Sequence, residues 1–219
     1  QGKASAPEAR LAATPADLMQ QSLKILHLLD KLGNSLQRFE DEGKFWKRQA
    51  MMLEGNKRNR ALQAMEAAYK KAHEFAMQKT NTIIGYSLIN WLTARVVRYL
   101  RGNLEQLDRQ ELKYWLDQSR QSIHDNDKHV GSFLTGITRA EYTLLLYLIG
   151  ARLDETTQLQ AVLLEYETAM GRGASPRQLR YIAEHLTFLQ LMLQEQLTDK
   201  PQLQPVVRAL LEVQGKLGV

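Results

Sequence analysis

GYSLINWLTARVVRYLRGN, residues 85–103, mixes aromatics, aliphatics and three arginines spaced three apart. At 100° per residue, Leu88, Ile89, Leu92, Val96, Tyr99 and Leu100 share one helical face. Arg95 borders that face, and Arg98 and Arg101 lie farther round it with Trp91 among them. Arginines beside an apolar stripe lay their stems along it and keep the guanidinium wet. Asn90, Arg95, Arg98 and Arg101 exclude a membrane span, and no apolar run elsewhere reaches the roughly 18 residues that one needs. The stretch is one helix of a bundle, ending at Gly102-Asn103, with Trp91, Arg98 and Arg101 expected at its rim.

The same periodicity recurs along the chain. Leu18, Met19, Leu23, Ile25, Leu26, Leu29, Leu32, Leu36 and Phe39 repeat at helical spacing after a Thr14-Pro15 start signal. A break is expected at Gly43 and another at Gly55-Asn56. Asp108 to Glu111 and Thr138 to Glu141 both read as capping boxes, each ahead of an apolar helix. HDNDKHVGSFLTG (124–136) reads as the longest loop, and Ser175-Pro176 starts a helix that runs to Leu197. Val206 to Leu217 reads as a short terminal helix. Leu, Gln, Ala, Arg, Lys and Glu dominate, with only 5 prolines and 13 glycines in 219 residues. Those residue types lose little rotamer freedom in a helix. No stretch alternates with period two, no fixed repeat appears and no heptad persists. The expected fold is an all-α, irregular antiparallel helical bundle of about six to eight helices. Residues 1–14 read as a flexible tether and 15–219 as a single helical domain, which would subdivide, if anywhere, near 124–137.

With 0 cysteines, disulfides, thiolate metal sites and cysteine nucleophiles are excluded. His124, Asp125, Asp127 and His129 crowd one stretch, but the twelfth position of a calcium loop would be Gly136, which has no carboxylate. The two histidines also miss the i, i+4 spacing of a helical zinc pair. His73-Glu74 lacks a second histidine. His27 and His185 sit in amphipathic helices, where a packed or hydrogen-bonded histidine is the plainer reading. Glu40-Asp41-Glu42 is better explained as charge compensation beside a basic helix than as a pair of catalytic carboxylates. No glycine-rich phosphate loop and no nucleophile elbow is present. Neither a catalytic residue nor a cofactor or metal site is expected.

Charge is the remaining signal. Thirteen basic residues and six acids lie between Arg38 and Arg101 in a chain of formal charge +5. The candidate interaction surface is Trp46, Lys47, Arg48, Lys57, Arg58, Arg60, Trp91, Arg98 and Arg101, a mixture of tryptophan and basic residues suited to protein contact. The expected function is a non-enzymatic interaction or sensory module that binds another protein with an acidic surface. An anionic membrane surface is a further partner of the right charge. The alternative is a cytoplasmic nucleic-acid-binding protein that uses residues 44–101, although no helix-turn-helix, RNA-recognition or zinc-finger pattern accompanies the charge. The polar, proline-punctuated opening segment suggests a periplasmic or cell-envelope-tethered location, with cytoplasmic as the alternative.

Overall fold

Helix punctuation sets most of the architecture. A computed structural model describes residues 14–30, 33–81, 83, 85–104, 106–127, 133–150, 156–171 and 173–218. The fold is all-α, with nine α-helices and no strand among the described residues. They are α1 (Pro15–Asp30), α2 (Leu36–Met52), α3 (Gly55–Thr80), α4 (Gly85–Leu100), α5 (Arg109–Asp127), α6 (Phe133–Gly150), α7 (Thr156–Met170), α8 (Pro176–Gln194) and α9 (Gln204–Leu217). A 3-10 turn, Pro201–Leu203, leads into the last of them.

Residues 1–34 and 35–219 form two separate units. In the first, Thr14 and Asp17 cap α1 reciprocally. The Asp17 backbone N–H donates to Thr14 Oγ1 at 3.2 Å and the Thr14 N–H to Asp17 Oδ2 at 2.9 Å.

In the second unit, Leu53 and Glu54 alone separate α2 from α3, so α3 must run back along α2. Gly43 does not break α2. A Cβ there would stand 2.6 Å from the Tyr69 ring, so this glycine lets α2 and α3 approach closely inside a continuous helix. Gly55, at φ +51, does begin a new helix. α4 is the hub and packs against α3, α5, α6 and α8. Ser87 to Ala94, with Val96 and Val97, are all buried, so its interior is wider than the apolar stripe implied. Leu92, Leu145 and Leu189 are buried.

α4 ends in a Schellman turn at Gly102, φ +74, where the Gly102 N–H donates to Tyr99 O at 2.9 Å and the Asn103 N–H to Arg98 O at 2.8 Å. Asp108 caps α5 by accepting from the N–H groups of Gln110 and Glu111. Thr138 to Glu141, by contrast, is no cap. It lies inside α6, which begins five residues earlier at Phe133. His124 to Asp127 form the end of α5 and Phe133 to Gly136 the start of α6, so the expected loop is shorter than 124–136. Residues 128–132, including His129, lie outside the described residues, as do the side chains of His27, His124, Asp125 and Asp127. α5 and α6 pack together, and so do α6 and α7.

Ser175 and Gln178 form a complete capping box at α8. Replacing Ser175 by Ala is expected to cost about 0.5–2 kcal/mol in chemical denaturation. A loss near zero would mean that the box contributes nothing in this context.

Candidate functional site

The structure separates the nine candidate surface residues into two groups. Arg48, Lys57 and Arg60 are exposed on α2 and α3, and Trp46 is half-buried with its ring edge-on to Phe45. Arg48 reaches Glu184 of α8 at 3.3 Å. Lys57 and Arg60 make no ion pair among the described residues. The other five are drawn inward, because α4 and the inner face of α3 are covered on nearly every side.

Trp91 is buried against His73 and Trp115, with ring centroids 5.7 and 5.8 Å away. It is a core residue rather than a rim residue. Arg101 donates to Met192 O at 2.6 Å and to Glu195 Oε2 at 3.1 Å. Arg58 also pairs with Glu195, so two buried arginines share one carboxylate and tie α3 and α4 to the end of α8. Arg98 pairs with Glu66 of α3. Guanidiniums expected in solvent are instead spent on bracing the bundle.

Two constellations result. The first is an open groove of about 250 Å³ between the start of α3 and the end of α4, lined by Asn56, Asn59, Arg60, Gln63, Arg98 and Asn103. Asn103 Nδ2 donates to Asn59 Oδ1 at 2.7 Å, linking the α3 and α4 sides of the lining. Arg60 and Arg98 were legible as basic residues. The four carboxamides were not, since single amides carry no periodic or charge signal.

The second constellation is sealed. Lys47 of α2 is 3% exposed, Glu141 of α6 2% and His185 of α8 0%. Lys47 Nζ stands 3.2 Å from His185 Nδ1, and that nitrogen lies 3.7 Å from Glu141 Oε1. An ammonium can only donate, so His185 accepts at Nδ1 and carries its proton on Nε2. Tyr181 O–H donates to Glu141 Oε2 at 3.4 Å, and the Lys47 ammonium lies over the Tyr181 and Phe188 rings at 5.6 and 5.3 Å. Asn90 Nδ2 donates to Tyr86 O at 2.9 Å and sits 3.5 Å from the Tyr181 hydroxyl.

Burial dominates the electrostatics of this centre. It pushes the Lys47 ammonium down to about 8, against the pull of Glu141 and Glu184. It pushes the Glu141 carboxyl up to about 7, opposed by Lys47 and by the Tyr181 hydrogen bond. His185 is held well below its ordinary range, first by burial and then by the Lys47 charge. Tyr166 and Tyr181 are raised, again chiefly by burial. A lysine, an acid, a histidine and tyrosines in one cluster are the materials of acid–base chemistry. A catalytic group must nevertheless reach a substrate atom, and all three central side chains are closed off from the surface. The centre is therefore an ionic joint between three helices. Among the described residues no group of three or more His, Asp or Glu is placed to hold a metal ion, and no helix is long and apolar enough to cross a membrane.

Fold and site together define an all-α helical bundle with a basic, carboxamide-lined groove outside and an ionic joint within. No protein-family model matches the chain, and no curated protein or solved structure matches it.

Proposed function

We propose that the protein is a non-enzymatic helical interaction module that docks an acidic surface of another protein on the α2–α3 side. The observation that carries this reading is where free charge remains. Among the described residues Lys57 and Arg60 stay exposed and without an ion pair at the start of α3, as do Lys71 and Lys79 farther along it, while most other basic residues of the region have acidic partners. Lys44 pairs with Asp41, Arg48 with Glu184, Lys70 with Glu74 and Arg95 with Glu111. Binding to nucleic acid needs many cations free to replace counterions along a phosphate track. A few free cations beside a polar groove suit a local protein contact better.

Reversing Lys57 and Arg60 together to Glu tests the reading. Partners cross-linked to the wild-type chain in cells should be lost by about tenfold or more, with helicity and melting temperature unchanged, since both side chains are exposed. Retention of every partner by a folded double variant would sink the proposal. Submicromolar, sequence-dependent binding to a labelled duplex at physiological salt would favour the nucleic-acid alternative.

A further inference from the structure

We infer that the groove between the start of α3 and the end of α4 is a carboxylate seat for an acidic, extended segment of the partner protein. The inference rests on the docking function proposed above and assigns it a place and a chemistry. The first support is an excess of donors. Neither Arg60 nor Arg98 meets an acid in the groove lining, and Arg98 is paired with Glu66, which lies outside that lining. Arg98 is thereby fixed in position, and its Nε is buried without a hydrogen-bond partner. Arg60 is free to close on an incoming anion.

The second support is that the end of α4 does not compete. Its last carbonyls already receive hydrogen bonds: Arg98 O from the Asn103 N–H, Tyr99 O from the Gly102 N–H, and Leu100 O from Lys200 Nζ at 2.8 Å. A helix C-terminus would otherwise repel an anion. Here the Schellman turn and Lys200 quench that effect.

The third support decides the class of ligand. Asn56, Asn59 and Gln63 follow one stripe of α3 at i, i+3 and i+7. Each carboxamide offers a donor and an acceptor together, as a peptide group does. A phosphate needs donors only, so a row of carboxamides matches a polypeptide backbone flanking one acidic side chain. The volume agrees, since about 250 Å³ falls below the roughly 300–1,000 Å³ of small-molecule pockets.

The test is an NMR titration of the whole chain at about 150 mM salt with acetyl-tetraglutamate amide, its tetraglutamine counterpart and inorganic phosphate. The glutamate peptide should shift the side-chain amides of Asn56, Asn59, Gln63 and Asn103, and should bind about tenfold or more tightly than the glutamine peptide. Arg60→Glu should remove that preference, Arg60→Lys should restore part of it, and Arg208→Glu, at an exposed position of α9, should leave it intact. Equal losses in the Arg60→Glu and Arg208→Glu variants would show mere charge screening and overturn the seat. So would an absence of shifts, or phosphate binding as tightly as the glutamate peptide. Peptide binding in the groove by a chain whose Arg60→Glu variant keeps every protein partner would leave the seat standing and remove the docking function. Partner loss on reversing Lys57 without any peptide binding would do the opposite.

Discussion

At pH 7.5, Glu141→Leu alone is expected to lower the free energy of unfolding by about 3–5 kcal/mol, because it leaves Lys47 in the core without its counter-charge. Adding Lys47→Met to that variant should recover most of the loss. The two singles and the double form a cycle whose coupling should reach about 3 kcal/mol or more. The reasoning is electrostatic. Both charges have left water almost completely, and each meets its partner at imperfect geometry. Glu141 Oε1 accepts no hydrogen bond, and the Lys47 ammonium donates to His185 Nδ1 rather than to the carboxylate. Attraction of that quality roughly offsets the desolvation it must overcome. Removing one charge is therefore costly, whereas removing both is nearly neutral or stabilising. The Tyr181 hydroxyl and His185 Nδ1 lose their partners in the double, which limits the recovery by about 1–3 kcal/mol for each group. Chemical denaturation of the four proteins decides the matter. Additive losses would mean that Lys47 and Glu141 do not act as a pair.

That joint also shows where the sequence was legible and where it was not. Helix boundaries at Thr14-Pro15, Asp108 and Ser175-Pro176 could be read because caps act within one turn. The all-α class could be read because periodicity and propensity agree along the chain. The error at Thr138 to Glu141 has a physical cause. A Ser/Thr-x-x-Glu pattern describes a helix start only when no helix already covers it, and α6 begins upstream at Phe133. Once the cap is removed, the signal becomes plain: one acid on the buried face of a helix rich in Leu, Ile and Tyr. Its partners could not be found the same way, since Lys47 and His185 lie on α2 and α8, far away in sequence. Gly43 misled for a similar reason. Its lack of a side chain serves a neighbouring helix rather than its own backbone. Arg58, Arg98 and Arg101 failed as surface residues because each pairs with an acid far away in sequence, Glu195 for Arg58 and Arg101 and Glu66 for Arg98. Arg48, Lys57 and Arg60 stayed exposed, as surface residues should.

The stability of the Lys47→Met/Glu141→Leu double relative to wild type is expected to be highest between about pH 7 and pH 8 and to fall on both sides. Glu141 is raised in the folded chain, from an ordinary 4.5 to about 7. Its contribution to wild-type stability is therefore fully present below 4.5 and is lost as pH rises through 7. Lys47 is depressed, from 10.5 to about 8. Its contribution is present above 10.5 and is lost as pH falls through 8. Both costs fall on the wild type together in the window between, and the double variant escapes both. Each shift is worth on the order of 3 kcal/mol, so the double's relative stability should fall by up to roughly that amount toward either limit. His185 has the opposite sign to Glu141, because its depressed value adds stability above 6.5 that is lost in acid. In the wild type alone, the Glu141 and His185 slopes oppose each other below 6.5, which would mask the joint in a single pH titration. The difference between the two proteins retains His185 in both and removes that masking to first order. Urea denaturation at intervals from pH 4.5 to 10 should trace the bell. A flat difference would show that Lys47 and Glu141 titrate as they do in the unfolded chain, and that the joint is more hydrated than its burial implies.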